Sequence, residues 1–158
     1  MSNPLLAGHL SGAEQKSWTD VFAFLGAEEQ KRLASVVTET TLEQDAFLFE
    51  VGQPASEVFF LAHGRLSVQK KTGFHLKMQV VAILEPGAIV GEAGILPGHI
   101  HAVSVKAIEP SYLYRLGCQE LKALQRSDSQ LVIQLLQHLL LISSLRLGKN
   151  TERLAHVL

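Results

Sequence analysis

The chain has 158 residues, of which 47% are apolar and 18% are charged, and this composition suits one compact domain of ordinary size. Lysine and arginine number 14 against 15 acidic residues, so the formal net charge of -1 gives no general attraction to nucleic acid or anionic lipid. We therefore expect no DNA binding by this chain alone. A single cysteine excludes an internal disulfide and a multi-thiolate metal cluster, which favours a cytoplasmic protein.

The two ends of the chain predict an arm and a helix. Residues 1–16 contain no basic segment followed by an apolar core, so we expect a flexible N-terminal arm and not a signal peptide. The most apolar stretch, residues 131–147, is interrupted by glutamine, histidine and serine, which favours a protein-facing helix over a membrane span. Residues 17–158 are expected to form one domain that contacts no membrane.

Helical patterns flank the centre of the chain. Ser17 or Thr19 can cap a short helix that runs through Phe24, and a second short helix follows Gly26. A third helix is predicted over CQELKALQ, directly after residue 116. The fourth and longest helix is predicted over residues 129–147, with Ser127 or Asp128 as its cap and Gly148 as a stop or bend.

Between these helices, residues 40–116 form short β-rich runs separated by glycine, proline or aspartate. Gly64 lies between two strand patterns as a hairpin glycine would, and Gly87 follows Pro86 as in a type II turn. Strands this short and numerous favour an antiparallel jelly roll or β-roll. The predicted fold class is therefore α+β, mainly β, with N-terminal helices and a long C-terminal helix beside the roll.

The long helix carries two apolar stripes, which predict two surfaces to bury. At three-four spacing, one stripe contains Val132, Leu135, Leu139 and Ile142, and the other contains Ile133, Leu136, Leu140 and Leu147. Both stripes could pack on the same roll. We instead expect one of them to pack on the twin helix of a homodimer, and we assign the dimer contact to Val132, Leu135, Leu139 and Ile142.

The segment LEPGAIVGEAGILPGHIHAVSVKA, residues 84–107, carries the clearest binding signal. A strand reaches Gly91 and Glu92 there, and a short helical turn is predicted to follow. Glycine allows close approach of the backbone to a ligand, and the first N–H groups of a helical turn lack partners and favour an anion. Glu92 would accept hydrogen bonds from neutral hydroxyl groups such as those of a ribose.

Several spaced motifs together resemble the cyclic-nucleotide-binding domain of catabolite-activator-type regulators, cyclic-nucleotide-dependent kinase regulatory subunits and gated channels. They are VFAFLGAEEQKRLA, FLFEVGQPASEVFFLAHGRLSV, the cassette LEPGAIVGEAGIL and the closing helix. The resemblance implies a β-roll that holds cAMP or cGMP as its ligand, with no other cofactor. It also implies that Gly91 and Ala93, in the turn ending at Gly94, offer N–H groups to the cyclic phosphate and that Glu92 holds the ribose 2'-hydroxyl.

The sequence departs from the family where the phosphate-pairing arginine is expected. His101 occupies that position, and Ala102 stands where a hydroxyl residue is usual. Arginine is permanently charged and can donate hydrogen bonds to two phosphate oxygens at once. Histidine is only partly protonated near neutral pH and donates one such bond at a time. Loss of a charge-assisted bond of about 1.5 to 3 kcal/mol would weaken binding about 10- to 100-fold.

The end of the chain adds two lesser predictions. Ser143 or Ser144 could reach the base of the nucleotide, although serines in helices often bond to their own backbone turn. The tail NTERLAHVL is similar to the helix that leads into a helix-turn-helix domain in the transcription-factor branch of the family.

Three functions follow from these observations. The first is a non-enzymatic cyclic-nucleotide sensor that signals through movement of the long helix. The second is a degenerate domain that serves dimerisation or partner binding. The third, a metal-dependent jelly-roll enzyme, rests on His99 and His101, whose rings would share a face on a strand, but no carboxylate follows at a suitable spacing. We expect no bound metal and no catalytic residues.

Overall fold

The computed structural model describes residues 15–73 and 77–157. The predicted flexible arm lies, up to residue 14, outside the described residues. Four α-helices are present in the described part of the chain: α1 (Trp18–Val21), α2 (Ala27–Ala34), α3 (Cys118–Ser127) and α4 (Ser129–Val157). Its strands are β1 (Thr38–Leu42), β2 (Phe47–Phe49), β3 (Glu57–His63), β4 (Leu66–Thr72), β5 (Lys77–Leu84), β6 (Ile89–Val90), β7 (Ser104–Ala107) and β8 (Ser111–Gly117).

The strands form two antiparallel sheets, which confirms the predicted β-roll. The strand order is β1-β8-β3-β6 in the first sheet and β2-β7-β4-β5 in the second. The strand β3 pairs with β8 from Glu57 opposite Gly117 onward, and β4 pairs with β5 from Leu66 opposite Leu84 to Thr72 opposite Lys77. A short 3-10 turn, Glu92–Ile95, joins the β6 edge of the first sheet to the segment before β7.

Alternation along β3 divides the core into two clusters. Val58 and Phe60 face the helices, whereas Phe59 and Leu61 face the second sheet, and all four are at most 6% exposed. This strand is thus buried on both faces, which explains its continuous run of apolar residues. The first cluster joins all four helices to the first sheet, and the second cluster fills the space between the sheets.

The helix caps are among those that the sequence predicts, but α1 and α4 end at other residues than predicted. Ser17 caps α1 in a capping box with Asp20, whose carboxylate accepts from the Ser17 N–H at 2.9 Å. This helix ends at Val21 and not at Phe24. Asp128 caps α4 by accepting from the Leu131 N–H at 3.1 Å.

The helix α4 also continues ten residues beyond the predicted end at residue 147, to Val157. A glycine ends a helix by taking a left-handed conformation, and Gly148 is not among the residues with positive φ. It stays helical at a cost of about 1 kcal/mol relative to alanine. The prediction that Gly148 stops the helix is therefore wrong.

Gly64 has the expected left-handed conformation, with φ of 86°, but it does not close a hairpin. The strands β3 and β4 on either side of it belong to different sheets. A Cβ at this position would lie 2.7 Å from the Pro110 carbonyl oxygen, so a close backbone approach requires glycine here. Gly87 does occupy a type II turn, because its φ is 97° and the Ala88 N–H donates to the Glu85 carbonyl at 3.0 Å.

The stripe assigned to the dimer contact is instead buried within the chain. Val132, Leu135 and Leu139 are 4%, 1% and 7% exposed, and Ile142 packs against the same cluster. That assignment is wrong because α3 and the first sheet cover this face. The second stripe is exposed to solvent, with exposed fractions between 40% and 69% at Ile133, Leu136, Leu140 and Leu147.

The helix α4 is also long and apolar enough, by length and composition alone, to cross a membrane, since one 18-residue window has a mean hydropathy of 1.5. One face of the helix packs in the first cluster, where Leu131 and Leu135 are almost fully buried, and 22% of this window is buried. An aromatic contact adds to this packing, because the ring of His138 stacks on Phe24 with centroids 3.7 Å apart.

This packing predicts that leucine-to-alanine substitutions at buried and exposed positions of α4 differ in their cost to stability. The substitution Leu135→Ala removes a side chain that is 1% exposed and should lower the free energy of unfolding by about 2 to 5 kcal/mol. The matched control is Leu154→Ala, which changes a side chain that is 65% exposed and should cost less than about 0.5 kcal/mol. Urea unfolding measures both, and equal costs would contradict the packing of α4 on the roll.

Candidate functional site

The turn after β6 begins with a backbone conformation that needs glycine. Gly91 has φ of 75° and ψ of 20°, which is the left-handed region. A Cβ here would lie 3.0 Å from the Glu57 carbonyl oxygen and 3.4 Å from the rings of Phe49 and Phe59. Both the conformation and the space therefore select glycine, and the chain leaves the sheet sharply enough to start the 3-10 turn at Glu92.

The 3-10 turn orients two backbone donors and one carboxylate. Glu92 and Ala93 occupy its first two positions, where N–H groups have no partner within the turn. Gly94 closes the turn by donating to the Gly91 carbonyl at 2.8 Å. Gly94 is buried, and a Cβ there would lie 2.4 Å from the Glu57 carbonyl oxygen, so this residue packs on β3 and does not line the cavity described next.

A cavity of about 410 Å³ opens between the roll, the 3-10 turn and α4. This volume lies within the range of pockets that hold small ligands. Its lining includes five of the predicted site residues, namely Gly91, Glu92, Ala93, His101 and Ala102. The sequence therefore located the turn and the facing segment of this cavity, although these residues lie about ten positions apart in the chain.

His101 faces the cavity and is held there by its backbone and its ring. Its N–H donates to the Gln53 carbonyl at 2.9 Å, and its carbonyl accepts from the Gly52 N–H at 2.8 Å. The imidazole stacks on Phe49 with ring centroids 3.6 Å apart and an interplanar angle of 7°. Burial lowers the pKa of His101 from 6.5, so the imidazole is mainly neutral at pH 7.

The carboxylate of Glu92 is already paired with a side chain from α4. Arg146 Nη1 lies 2.8 Å from Glu92 Oε1, and the other guanidinium nitrogen donates to the Ile89 carbonyl. Ser143 Oγ lies 3.5 Å from the same carboxylate oxygen. The guanidinium thus connects the strand β6, the 3-10 turn and α4. It is bonded to the Glu92 carboxylate, which was expected to hold a ribose hydroxyl.

The part of α4 that lines the cavity lies beyond the serines predicted to do so. Neither Ser143 nor Ser144 lines the cavity, and Ser144 is exposed. The lining residues from α4 are Arg146, Asn150 and Arg153. Asn150 and Arg153 were missed because the helix was predicted to end at residue 147, whereas Arg146 lies within the predicted helix and was missed because only the serines beside it were assigned to the ligand. Their spacing of four and then three residues, which places polar groups on one helix face, was the available signal.

The charges around the cavity favour an anionic ligand. Its lining contains two guanidinium groups and one carboxylate, so the local charge is positive although the chain as a whole carries a formal charge of -1. The unpartnered N–H groups at the start of the 3-10 turn add to the positive potential. The apolar lining, which includes Val68, Leu84 and Val103, provides a surface for a flat ring system.

The arrangement of the histidines does not resemble a metal centre. His99 and His101 both line the cavity, but they lie in an irregular segment and not on a strand. Among residues 15–73 and 77–157, no group of three or more histidine, cysteine, aspartate or glutamate side chains could hold a metal ion.

Comparison with solved structures identifies the same architecture in bacterial proteins. A cyclic nucleotide-binding domain from Methylobacillus flagellatus KT is 24% identical, with a TM-score of 0.77, and the match covers 82% of this chain and 72% of that one. The catabolite activator protein of Thermus thermophilus is 24% identical, with a TM-score of 0.70, and the match covers 85% of this chain and 62% of that one. At these identities the similarity establishes the fold alone.

Curated relatives include uncharacterized NTE family proteins of Mycobacterium tuberculosis and Mycobacterium bovis. They are 23% identical to this chain over 99 residues, which is 63% of its length. The chain covers 16% of the length of these relatives, so the match concerns one segment of much longer proteins.

The sequence profile of the cyclic nucleotide-binding domain matches residues 39–128, which is more than half of the chain. The matched region runs from β1 to the end of α3 and contains the 3-10 turn and His101. The chain therefore belongs to the cyclic nucleotide-binding domain family.

Proposed function

We propose that this domain is a non-enzymatic cytoplasmic sensor that binds cAMP or cGMP in the cavity between the roll and α4. The observation that carries the proposal is the position of Glu92. Glu92 lines the cavity together with Gly91 and Ala93, and the other charged groups of the lining are cationic. A cyclic nucleotide presents hydroxyl donors for the carboxylate and an anionic phosphate for the remaining groups, so its chemistry matches this distribution.

Each predicted site residue that lines the cavity then has a role in binding. The N–H groups of Gly91 and Ala93 bind the cyclic phosphate, and Glu92 accepts a hydrogen bond from the ribose 2'-hydroxyl. His101 faces the phosphate from the opposite wall, and Ala102 leaves space beside it. These groups bind and orient the ligand, and no covalent step follows.

The output of the sensor is a change in the position of α4. The guanidinium of Arg146 now bonds to Glu92, so a ribose hydroxyl can take the carboxylate only if this ion pair opens. Ligand binding therefore changes a contact between the roll and α4, and it shifts the helix to the extent that the two arrangements differ in affinity for the ligand.

A degenerate domain that serves partner binding is the second candidate. Two observations favour it, namely the neutral imidazole at the position of the family arginine and the occupied carboxylate of Glu92. Such a domain would keep the fold and the contacts of α4 and would not respond to nucleotides.

Ligand binding distinguishes the two candidates. Isothermal titration calorimetry with cAMP and cGMP should give saturable binding, and the preferred nucleotide should raise the melting temperature because it binds only the folded state. The substitution Glu92→Gln should weaken binding about ten-fold or more, because a charge-assisted bond to the ribose is lost. The control Glu43→Gln changes the same charge on an exposed residue that does not line the cavity and should have no effect. Absence of binding to either nucleotide would favour the degenerate domain.

The affinity should also depend on pH through His101. Because the pKa of His101 is lowered from 6.5, the ring is neutral above this value and becomes a cationic phosphate partner as the pH falls. The affinity for cAMP should therefore change little between about pH 8 and pH 7 and rise as the pH falls below 6.5. The substitution His101→Gln should remove most of the rise, and His156→Gln, which changes an exposed residue of α4 outside the cavity, should leave it intact. A pH profile that is the same in all three proteins would exclude His101 as a phosphate partner.

We also propose that a second copy of the chain covers the exposed stripe of α4. Ile133, Leu136 and Leu140 are 45%, 40% and 68% exposed along one face, and packing two such faces about a twofold axis would remove them from water. Light scattering coupled to size exclusion should give the mass of a dimer, and Leu140→Glu should convert it to a monomer with unchanged helix content. A monomeric wild-type protein at micromolar concentration would contradict this assembly.

A further inference from the structure

The cationic side chains of the cavity lie on α4 and not on the roll. Arg146 and Arg153 are the only lysine or arginine residues that line it in the described part of the chain, whereas His101 is mainly neutral. Any anion in the cavity must therefore take its strongest counter-charge from the helix. Arginine is suited to this because its planar guanidinium can bind two phosphate oxygens at once.

The two arginines and Asn150 form a single polar face on α4. Arg146, Asn150 and Arg153 are separated by four and three residues, so they lie one above another on the same side of the helix. Two helical turns, about 10 Å, separate the first from the last. This distance places one guanidinium beside Glu92 and the other further along the cavity mouth.

The two guanidinium groups differ in their present bonding. Arg146 is paired with Glu92 and also donates to the Ile89 carbonyl. Arg153 is exposed, and within residues 15–73 and 77–157 no ion pair joins it to a carboxylate. Arg153 can therefore bind an incoming anion directly, whereas Arg146 must first leave the carboxylate.

We propose that Arg153 and Arg146 supply the counter-charge for the ligand phosphate, in place of the arginine that the roll lacks at position 101. This inference rests on the proposed function of the cavity. When a ribose hydroxyl takes the carboxylate of Glu92, Arg146 exchanges that carboxylate for the phosphate, and Arg153 binds the same phosphate from the next turns of α4. The ligand then connects the roll to the helix and holds α4 over the cavity.

The exchange also defines the class of ligand. A nucleoside such as adenosine offers a hydroxyl to Glu92 but leaves Arg146 without an anion. Inorganic phosphate offers an anion to Arg146 but no ribose hydroxyl to Glu92, so the ion pair between Arg146 and Glu92 competes with its binding. A ligand that carries both a ribose hydroxyl and a phosphate satisfies both groups, so cAMP should bind much more tightly than adenosine or inorganic phosphate.

The test compares two substitutions that remove the same charge. In calorimetric titrations of the full chain with cAMP, Arg153→Gln should weaken binding about ten-fold, because one charge-assisted contact is lost. The control Arg126→Gln lies on α3, exposed and outside the cavity, and should change the affinity less than about two-fold. Circular dichroism verifies that both variants keep their helix content.

A rescue variant separates a direct phosphate contact from a structural effect. Adding His101→Arg to the Arg153→Gln protein returns a guanidinium to the cavity from the roll side and should restore most of the lost affinity. If wild-type protein binds cAMP but Arg153→Gln binds equally well, or loses no more than Arg126→Gln, the inference is wrong while the proposed function stands. A loss that His101→Arg does not restore also overturns it. Wild-type protein that binds neither cAMP nor cGMP overturns both.

Discussion

The ion pair between Arg146 and Glu92 is the contact on which the site depends, because it joins the 3-10 turn of the roll to the part of the long helix that lines the cavity. The carboxylate comes from the 3-10 turn after β6, and the guanidinium comes from the fifth turn of α4, with 2.8 Å between the bonding atoms. The side chain of Arg146 is 36% exposed and that of Glu92 is 29% exposed, so water screens the pair. Its contribution to stability is of the order of 1 kcal/mol or less. A contact of this strength adds little to the apolar packing of the helix and can therefore yield to a ligand.

The distribution of charge in the cavity explains how a domain without the family arginine could still bind an anion. His101 is fixed against Phe49 and kept mainly neutral by burial, so the roll side offers backbone donors and an uncharged ring. The cationic groups lie on α4, which is the element proposed to transmit the signal. Under this arrangement the phosphate contact and the movement of the helix are coupled, because the same side chains carry both.

The sequence predicted local features well and relations between distant segments less well. A helix cap at Ser17 or Thr19, the type II turn at Gly87 and the turn at Gly91 follow from backbone rules that act within a few residues, and the structure confirms them with Ser17 as the cap. The sequence alone could not predict which face of α4 packs inward. Two similar apolar stripes lie side by side on the helix, and the position of the sheet determines which of them is buried. The helix was predicted too short because glycine often ends helices, yet Gly148 remains helical here. Arg153 was missed for that reason, and Arg146 was missed because only the serines beside it were assigned to the ligand, whereas Glu92 and His101 were found from a motif.

The central claim is that Arg146 leaves Glu92 for the ligand phosphate, and the guanidinium resonances of Arg146 report on this directly. In nitrogen-15 NMR spectra, assigned with the Arg146→Lys variant, these resonances should shift when cAMP is added and should stay in place when adenosine is added. If cAMP perturbs the backbone signals of residues 91–93 and leaves the Arg146 resonances unchanged at saturation, the ion pair has survived ligand binding and the account is wrong.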